Sequence, residues 1–173
     1  MKKVGIITSD HEFKYYQKLF SSYSYECLLI KGEDDLKKIE KLIITHQPYH
    51  LLVNQIIALG IQEILRNWLQ NNKVLTFGFA TNYVISEFSH FPIKVRGNEL
   101  NVLESSKVYI YPCIEPYSAI CLPNLEVELL NEKVEVISKW KERIVGIRLM
   151  RSIGYFFIPT KETEQSLIFQ YIK

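Results

Sequence analysis

Glycine is scarce in this chain, seven in 173 residues, and Gly5 stands alone after the start of the first apolar run. A glycine-rich loop that cradles phosphate is therefore excluded. Cysteine is scarcer still: Cys27, Cys113 and Cys121 form no CxxC pair, and their odd number argues against a disulfide framework. An excess of one charge is missing too. Lys and Arg total 21 and Asp and Glu total 19, a formal charge of +2, which leaves no electrostatic footprint for nucleic acid or an anionic membrane. No apolar run approaches the ~20 residues of a membrane span. The amino-terminal MKKVGIITSDHEF starts basic, but Asp10 and Glu12 cut its apolar run short, so it does not fit a signal peptide. The expectation is a cytoplasmic protein with no nucleic-acid or membrane partner. His11, His46, His50 and His90 show no ligand spacing and join no Cys or acidic cluster, so neither a metal nor a cofactor is implied.

What is present is ordinary globular composition, 47% apolar and 23% charged. A chain of this length buries roughly 70% of its unfolded surface and fits one domain over residues 1–173. Lys3 to Thr8 is a continuous apolar run, as expected of a strand buried on both faces. Ser9 and Asp10 offer caps for a helix over His11 to Phe20, and Tyr25 to Lys31 reads as a second strand. Asp34 or Asp35 can cap a helix through His46 with Leu36, Ile39, Leu42 and Ile43 on one face, stopped by Pro48. His50 to Asn54 then reads as the third strand and Leu59 to Asn71 as the third helix. After His90 the texture changes to short β-rich runs with polar breaks, which antiparallel hairpins fit best. A helix from Lys161 to Ile172 closes the chain. The fold class expected is α/β: a three-layer, mostly parallel sheet flanked by helices, with an antiparallel β-rich second half.

The most informative stretch is Lys73 to Ser89, KVLTFGFATNYVISEFS. An apolar run meets a small-residue turn, Gly78-Phe79-Ala80-Thr81-Asn82, and a helical pattern follows at once. α/β enzymes use such a strand, turn and helix to hold a nucleophile over the sheet edge. Here the expected tip is Ala80, which has no nucleophilic atom. Thr81 carries a hydroxyl but no evident base, and reads as a helix cap. Cys113 and Cys121 read as structural thiols. Aromatic residues crowd two places: Phe13, Tyr15, Tyr16, Phe20, Tyr23 and Tyr25, then Tyr109, Tyr111 and Tyr117. Core packing accounts for part of them, and an exposed remainder would mark an interface.

This order of elements, with these words at the joints, resembles the class I glutamine amidotransferase family, the triad glutaminases, whose fold is flavodoxin-like. That family places its nucleophile in a Gly-x-Cys-x-Gly turn and its other triad members in a late Phe-His-Pro-Glu stretch. Here the late stretch is Gly154-Tyr155-Phe156-Phe157-Ile158-Pro159-Thr160, of which Gly154, Phe157 and Pro159 match. The resemblance puts Ala80 at the cysteine position, Ile158 at the histidine position and Thr160 at the glutamate position. It puts Asn54-Gln55-Ile56-Ile57-Ala58, without glycine, where the family has an oxyanion loop. The chemistry needs a nucleophile, a base and an orienter, so the resemblance implies a catalytically inactive member. Such a protein would keep the docking of a glutaminase on a synthase-type subunit, or associate with itself.

Other readings stand beside it. A cleft over the Ala80 turn, lined by Asn54, Gln55, Ala80, Thr81 and Ile158, could bind a small molecule. An enzyme of unrelated chemistry would use Thr81 or Cys113. A receiver-like domain, suggested by Asn54 and Thr81 at strand ends, fits the β-rich second half poorly.

Overall fold

The computed structural model describes residues 1–87, 93–97, 102–112, 115–149 and 152–173. Its first half alternates strand and helix: β1 (Lys2–Ile7), α1 (Asp10–Ser21), β2 (Tyr25–Leu29), α2 (Glu33–Leu36), β3 (Lys41–Ile44), α3 (Tyr49–Leu59), α4 (Gln62–Asn71), β4 (Lys73–Phe77) and α5 (Phe79–Glu87). The second half is strand-rich: β5 (Ile93–Arg96), β6 (Glu104–Ile110), β7 (Pro116–Cys121), β8 (Glu126–Leu129), β9 (Val134–Trp140), β10 (Arg143–Leu149), β11 (Ser152–Tyr155) and β12 (Ile158–Pro159), closed by α6 (Lys161–Ile172). No described helix is long and apolar enough to cross a membrane.

Local chemistry sets several boundaries. Ser9 caps α1 by accepting from the Glu12 N–H at 3.3 Å, with acidic Asp10 and Glu12 in the favourable first turn. Thr160 caps α6 in the same way through the Thr163 N–H. Two expected elements change type. The segment read as the end of a helix, Lys41–Ile44, is strand β3, paired with β1 on one side and β4 on the other. Leu42, Ile43 and Ile44 are wholly buried. A run buried on both faces satisfies a helical stripe and a strand equally well. The segment read as a strand, His50–Asn54, lies instead on α3, whose Leu52 and Ile56 are buried one turn apart. Pro48 starts this helix rather than only stopping the element before it. The single helix expected over Leu59–Asn71 is broken by Gly60, whose φ of +65° ends α3 before α4 begins.

The ten-stranded sheet has the order β12-β7-β6-β9-β10-β11-β4-β3-β1-β2, with β5 and β8 forming a separate ribbon. Strands β2, β1, β3, β4 and β11 are parallel. From β11 outward through β10, β9, β6, β7 and β12 every pairing is antiparallel. The sheet is therefore mixed, not mostly parallel. It also curls. Only Phe156 and Phe157 separate β11 from β12, so these strands lie within about 11 Å along the chain, although β12 is at the far end of the strand order.

Alternation along β1 distributes the core. Val4 and Ile6 face Tyr16 and Phe20 of α1 and Ile168 and Tyr171 of α6. Ile7 belongs with Ile56 of α3, Leu65 of α4 and Ala80 of α5. A third cluster packs Ile93 and Val127 of the ribbon, with Ile85 of α5, against Ile147, Leu149 and Phe156. The first aromatic group is mostly core, and its outermost member, Tyr23, packs at a tilt against Phe169 with ring centroids 4.0 Å apart. Tyr109 and Tyr111, by contrast, stand more than half exposed.

The β9–β10 hairpin turns on Lys141 and Glu142, both with positive φ, between the paired Trp140 and Arg143. A two-residue turn of this kind favours glycine or asparagine at those positions. Glu142→Gly is expected to raise stability by about 0.5–1 kcal/mol, read as a higher urea midpoint with an unchanged slope.

Candidate functional site

β4 ends at Phe77, and the chain reverses sharply into α5. The residue that makes the reversal is Gly78, with φ of +57°. This is the left-handed conformation that residues with a Cβ avoid. Ala80, the expected tip, lies inside α5 and is wholly buried among the residues of α3, α4 and α5. The strained position in such a junction is where an enzyme displays its nucleophile, and the next backbone N–H serves an oxyanion. By this criterion the tip is Gly78 and the oxyanion donor would be the Phe79 N–H.

Both features are taken by one side chain, His46, two residues beyond β3. A Cβ built on Gly78 would stand 2.3 Å from His46 Nδ1 and 2.9 Å from its Cγ. The space for a side chain at the tip is therefore filled by the imidazole. The same Nδ1 accepts the Phe79 N–H at 3.3 Å, and the two rings lie 5.0 Å apart. Burial holds the imidazole neutral, pulling its pKa down to about 4 against a small opposing effect of the Glu12 charge.

The junction is pinned from β11. The Tyr155 carbonyl accepts both the Gly78 N–H at 2.8 Å and the Thr81 hydroxyl at 2.8 Å. Thr81 Oγ1 also lies 2.9 Å from Thr76 Oγ1. Thr81 is thus buried and engaged in tying α5 to two strands, within the first turn of the helix rather than capping it. It has no base beside it.

The remaining expected residues are dispersed. Asn54 is exposed on α3. Gln55, half-buried on the same helix, donates from Nε2 to the Thr8 carbonyl at 2.8 Å. The stretch Asn54–Ala58 is therefore helical and cannot be the loop after the third strand. That loop is Thr45-His46-Gln47-Pro48, also without glycine. Thr45 Oγ1 donates to Thr8 Oγ1 at 2.9 Å, and Thr8 Oγ1 donates to Glu12 at 3.2 Å, whereas Gln47 Nε2 and Gln55 Oε1 beside them are buried without a hydrogen-bond partner. Ile158 pairs with Ile120 in β12, and Thr160 begins α6. Among the described residues no three His, Cys, Asp or Glu side chains converge as a metal site would need. Burial pushes the Cys121 thiol up to about 11 and the Cys27 thiol up to about 12, which favours the thiol over the nucleophilic thiolate at neutral pH. Cys113 and His90 lie outside the described residues.

Beside the junction, a cavity of about 510 Å³ opens between α5 and the β5–β8 ribbon. Phe79 and Asn82 line it, but Ala80 does not. Sequence reasoning missed His46, Gly78 and this cavity. The misassigned third strand hid His46, which follows directly on Leu42-Ile43-Ile44.

No protein-family model matches this chain, and no curated protein matches it in sequence. Solved structures do match in fold. A glutamine amidotransferase aligns with a TM-score of 0.77 at 12% identity over 98% of this chain and 96% of its own. A chain of the PurLQS structure from Thermotoga maritima aligns with a TM-score of 0.70 at 11% identity over 99% of each. A candidate GMP synthase subunit from Thermoplasma acidophilum aligns with a TM-score of 0.67 at 10% identity, over 99% of this chain and 92% of its own.

Two outcomes test this geometry. Gly78→Ala is expected to cost at least about 2 kcal/mol, from the left-handed backbone and the clash with His46. The cost should shrink by about 1 kcal/mol or more in a His46→Ala background, where only the backbone term remains. The His46 pKa gives the second. An unfolded imidazole titrates near 6.5 and the folded one near 4, so the fold favours the neutral form. Stability present at pH 7 is then lost as pH falls, by roughly 2 kcal/mol at pH 5. His46→Asn should flatten that slope in denaturant titrations.

Proposed function

The fold is that of the class I glutamine amidotransferases, and we propose that this chain is a non-catalytic version of it, acting in the cytoplasm as a structural or regulatory partner subunit. The observation that carries the reading is His46. It fills the side-chain space at Gly78 and takes the Phe79 N–H, so the junction offers neither a nucleophile nor a free oxyanion donor. The resemblance adds that Ile158 and Thr160 stand where the glutaminase histidine and glutamate would be, while the tip that would carry the cysteine is Gly78 rather than Ala80. Loss of a nucleophile alone costs on the order of a million-fold in turnover in a comparable triad.

Docking is supported from outside the junction. Leu51 and Ile57 are 51% and 57% exposed on α3, and large apolar side chains left in solvent on a surface helix are candidates for an interface. One of the similar structures is named as a subunit of GMP synthase, and the proposal extends a subunit role to this chain.

The test joins two measurements. Purified protein incubated with glutamine should release no glutamate above buffer. The tagged protein should co-purify from its native lysate with one larger, synthase-type protein in fixed stoichiometry. The double variant Leu51→Asp, Ile57→Asp should retain at least about ten-fold less of that partner. Glutamate release by the wild-type chain, or a monomer that retains nothing, would sink the proposal.

A further inference from the structure

The cavity beside α5 has the dimensions of a ligand site, since such sites run to roughly 300–1,000 Å³, and its own measures about 510 Å³. Its walls are chiefly apolar: Phe79 and Ile85 from α5, Ile93 and Val95 from β5, and Leu122 and Leu125 from the segment between β7 and β8. Packing alone would favour closing such a space, because each void forfeits contacts.

Tyr49 and Asn124 add polar atoms to the lining, and two further features give the space a chemical preference. Asn82 lies three residues from both Phe79 and Ile85, so all three share one face of α5 and all line the cavity. Its Oδ1 is buried and accepts no hydrogen bond. An unmet buried acceptor is costly, on the order of 1–3 kcal/mol, and a donor entering the cavity would remove that cost. The second feature is charge. Among the described lining residues the only ionic group is Lys94, exposed on β5, and there is no Asp or Glu. Across the ribbon Lys94 lies opposite Glu128, but that carboxylate is engaged by Arg96 at 3.3 Å, which leaves the Lys94 ammonium as the charged group on the lining for an anion.

We propose that this cavity binds a small aromatic or branched apolar molecule that carries an N–H or O–H donor for Asn82 and an acidic group for Lys94. Glutamine does not fit this description: it offers only two methylenes to these apolar walls, and its ammonium would lose water with no carboxylate among the described lining residues to receive it. The cavity is formed by the isolated chain, without a partner subunit.

Anilinonaphthalene sulfonate has all three features, with aromatic rings, one N–H and a sulfonate, and its emission rises in apolar surroundings. Titrated into the folded protein, it should bind saturably at one site. Asn82→Leu should weaken binding roughly ten-fold through the lost acceptor. Lys94→Glu should weaken it by a similar factor, and more so at low salt than at high salt. Ile93→Trp, which fills the cavity, should abolish saturable binding while the protein still melts cooperatively. Tyr109→Ser, at an exposed position on β6, should leave binding unchanged, and millimolar glutamine should not compete. Should Ile93→Trp fail to fold, the Asn82 and Lys94 variants decide the matter, neither being a core residue. Emission that rises without saturating, binding indifferent to both variants, or displacement by glutamine would overturn the proposal.

Discussion

The left-handed backbone at Gly78 is the constraint on which the carboxyl side of the sheet depends. With no Cβ at that position, the chain turns from β4 into α5 within one residue, and the imidazole of His46 can sit against the bare backbone. The Tyr155 carbonyl then closes the junction from β11 by accepting from Gly78 and Thr81. Three separate parts of the sequence, the ends of β3, β4 and β11, are thus held in one place by one angle, one ring and one carbonyl. None of the three contacts is exchangeable for another, because each uses a group that the other two have left unoccupied.

This arrangement turns a display site into a packing site. A strand-to-helix turn of this type costs strain, and enzymes recover that cost as reactivity at the exposed tip. Here the strain sits on glycine, where it is small, and the neighbouring donor is satisfied by a neutral acceptor. The junction carries no side chain at Gly78, and its Phe79 N–H is already hydrogen-bonded. What remains open is the flank of α5, where the Asn82 face looks away from the sheet toward the β5–β8 ribbon.

Much of this was legible in the sequence, and the failures have physical causes. The strand, turn and helix at Lys73–Glu87 and the closing helix Lys161–Ile172 were readable because caps, a glycine and an apolar run agreed. The third strand was not, since Leu42, Ile43 and Ile44 are buried on both faces and carry no alternation to separate strand from helix. That one error displaced the loop after it onto Asn54–Ala58 and concealed His46. The tip was misplaced by two residues for a different reason. A motif spacing gives the order of residues, whereas the position of strain depends on where the helix begins, which only the backbone reports. The cavity was invisible because it is built by residues far apart in the chain, from Tyr49 to Leu125.

The position of β11 has a consequence in time. It is inserted between β4 and β10, so on a ribosome β4 is finished long before the strand that will cover its open side. At the usual ~5–20 residues per second, the stretch from Phe77 to Ser152 takes several seconds to emerge. For that interval the nascent chain presents Val74-Leu75-Thr76-Phe77 as an unpaired, apolar sheet edge, the kind of surface that chaperones and stray strands recognise. The half of the protein that comes last is therefore also the guard of the half that comes first.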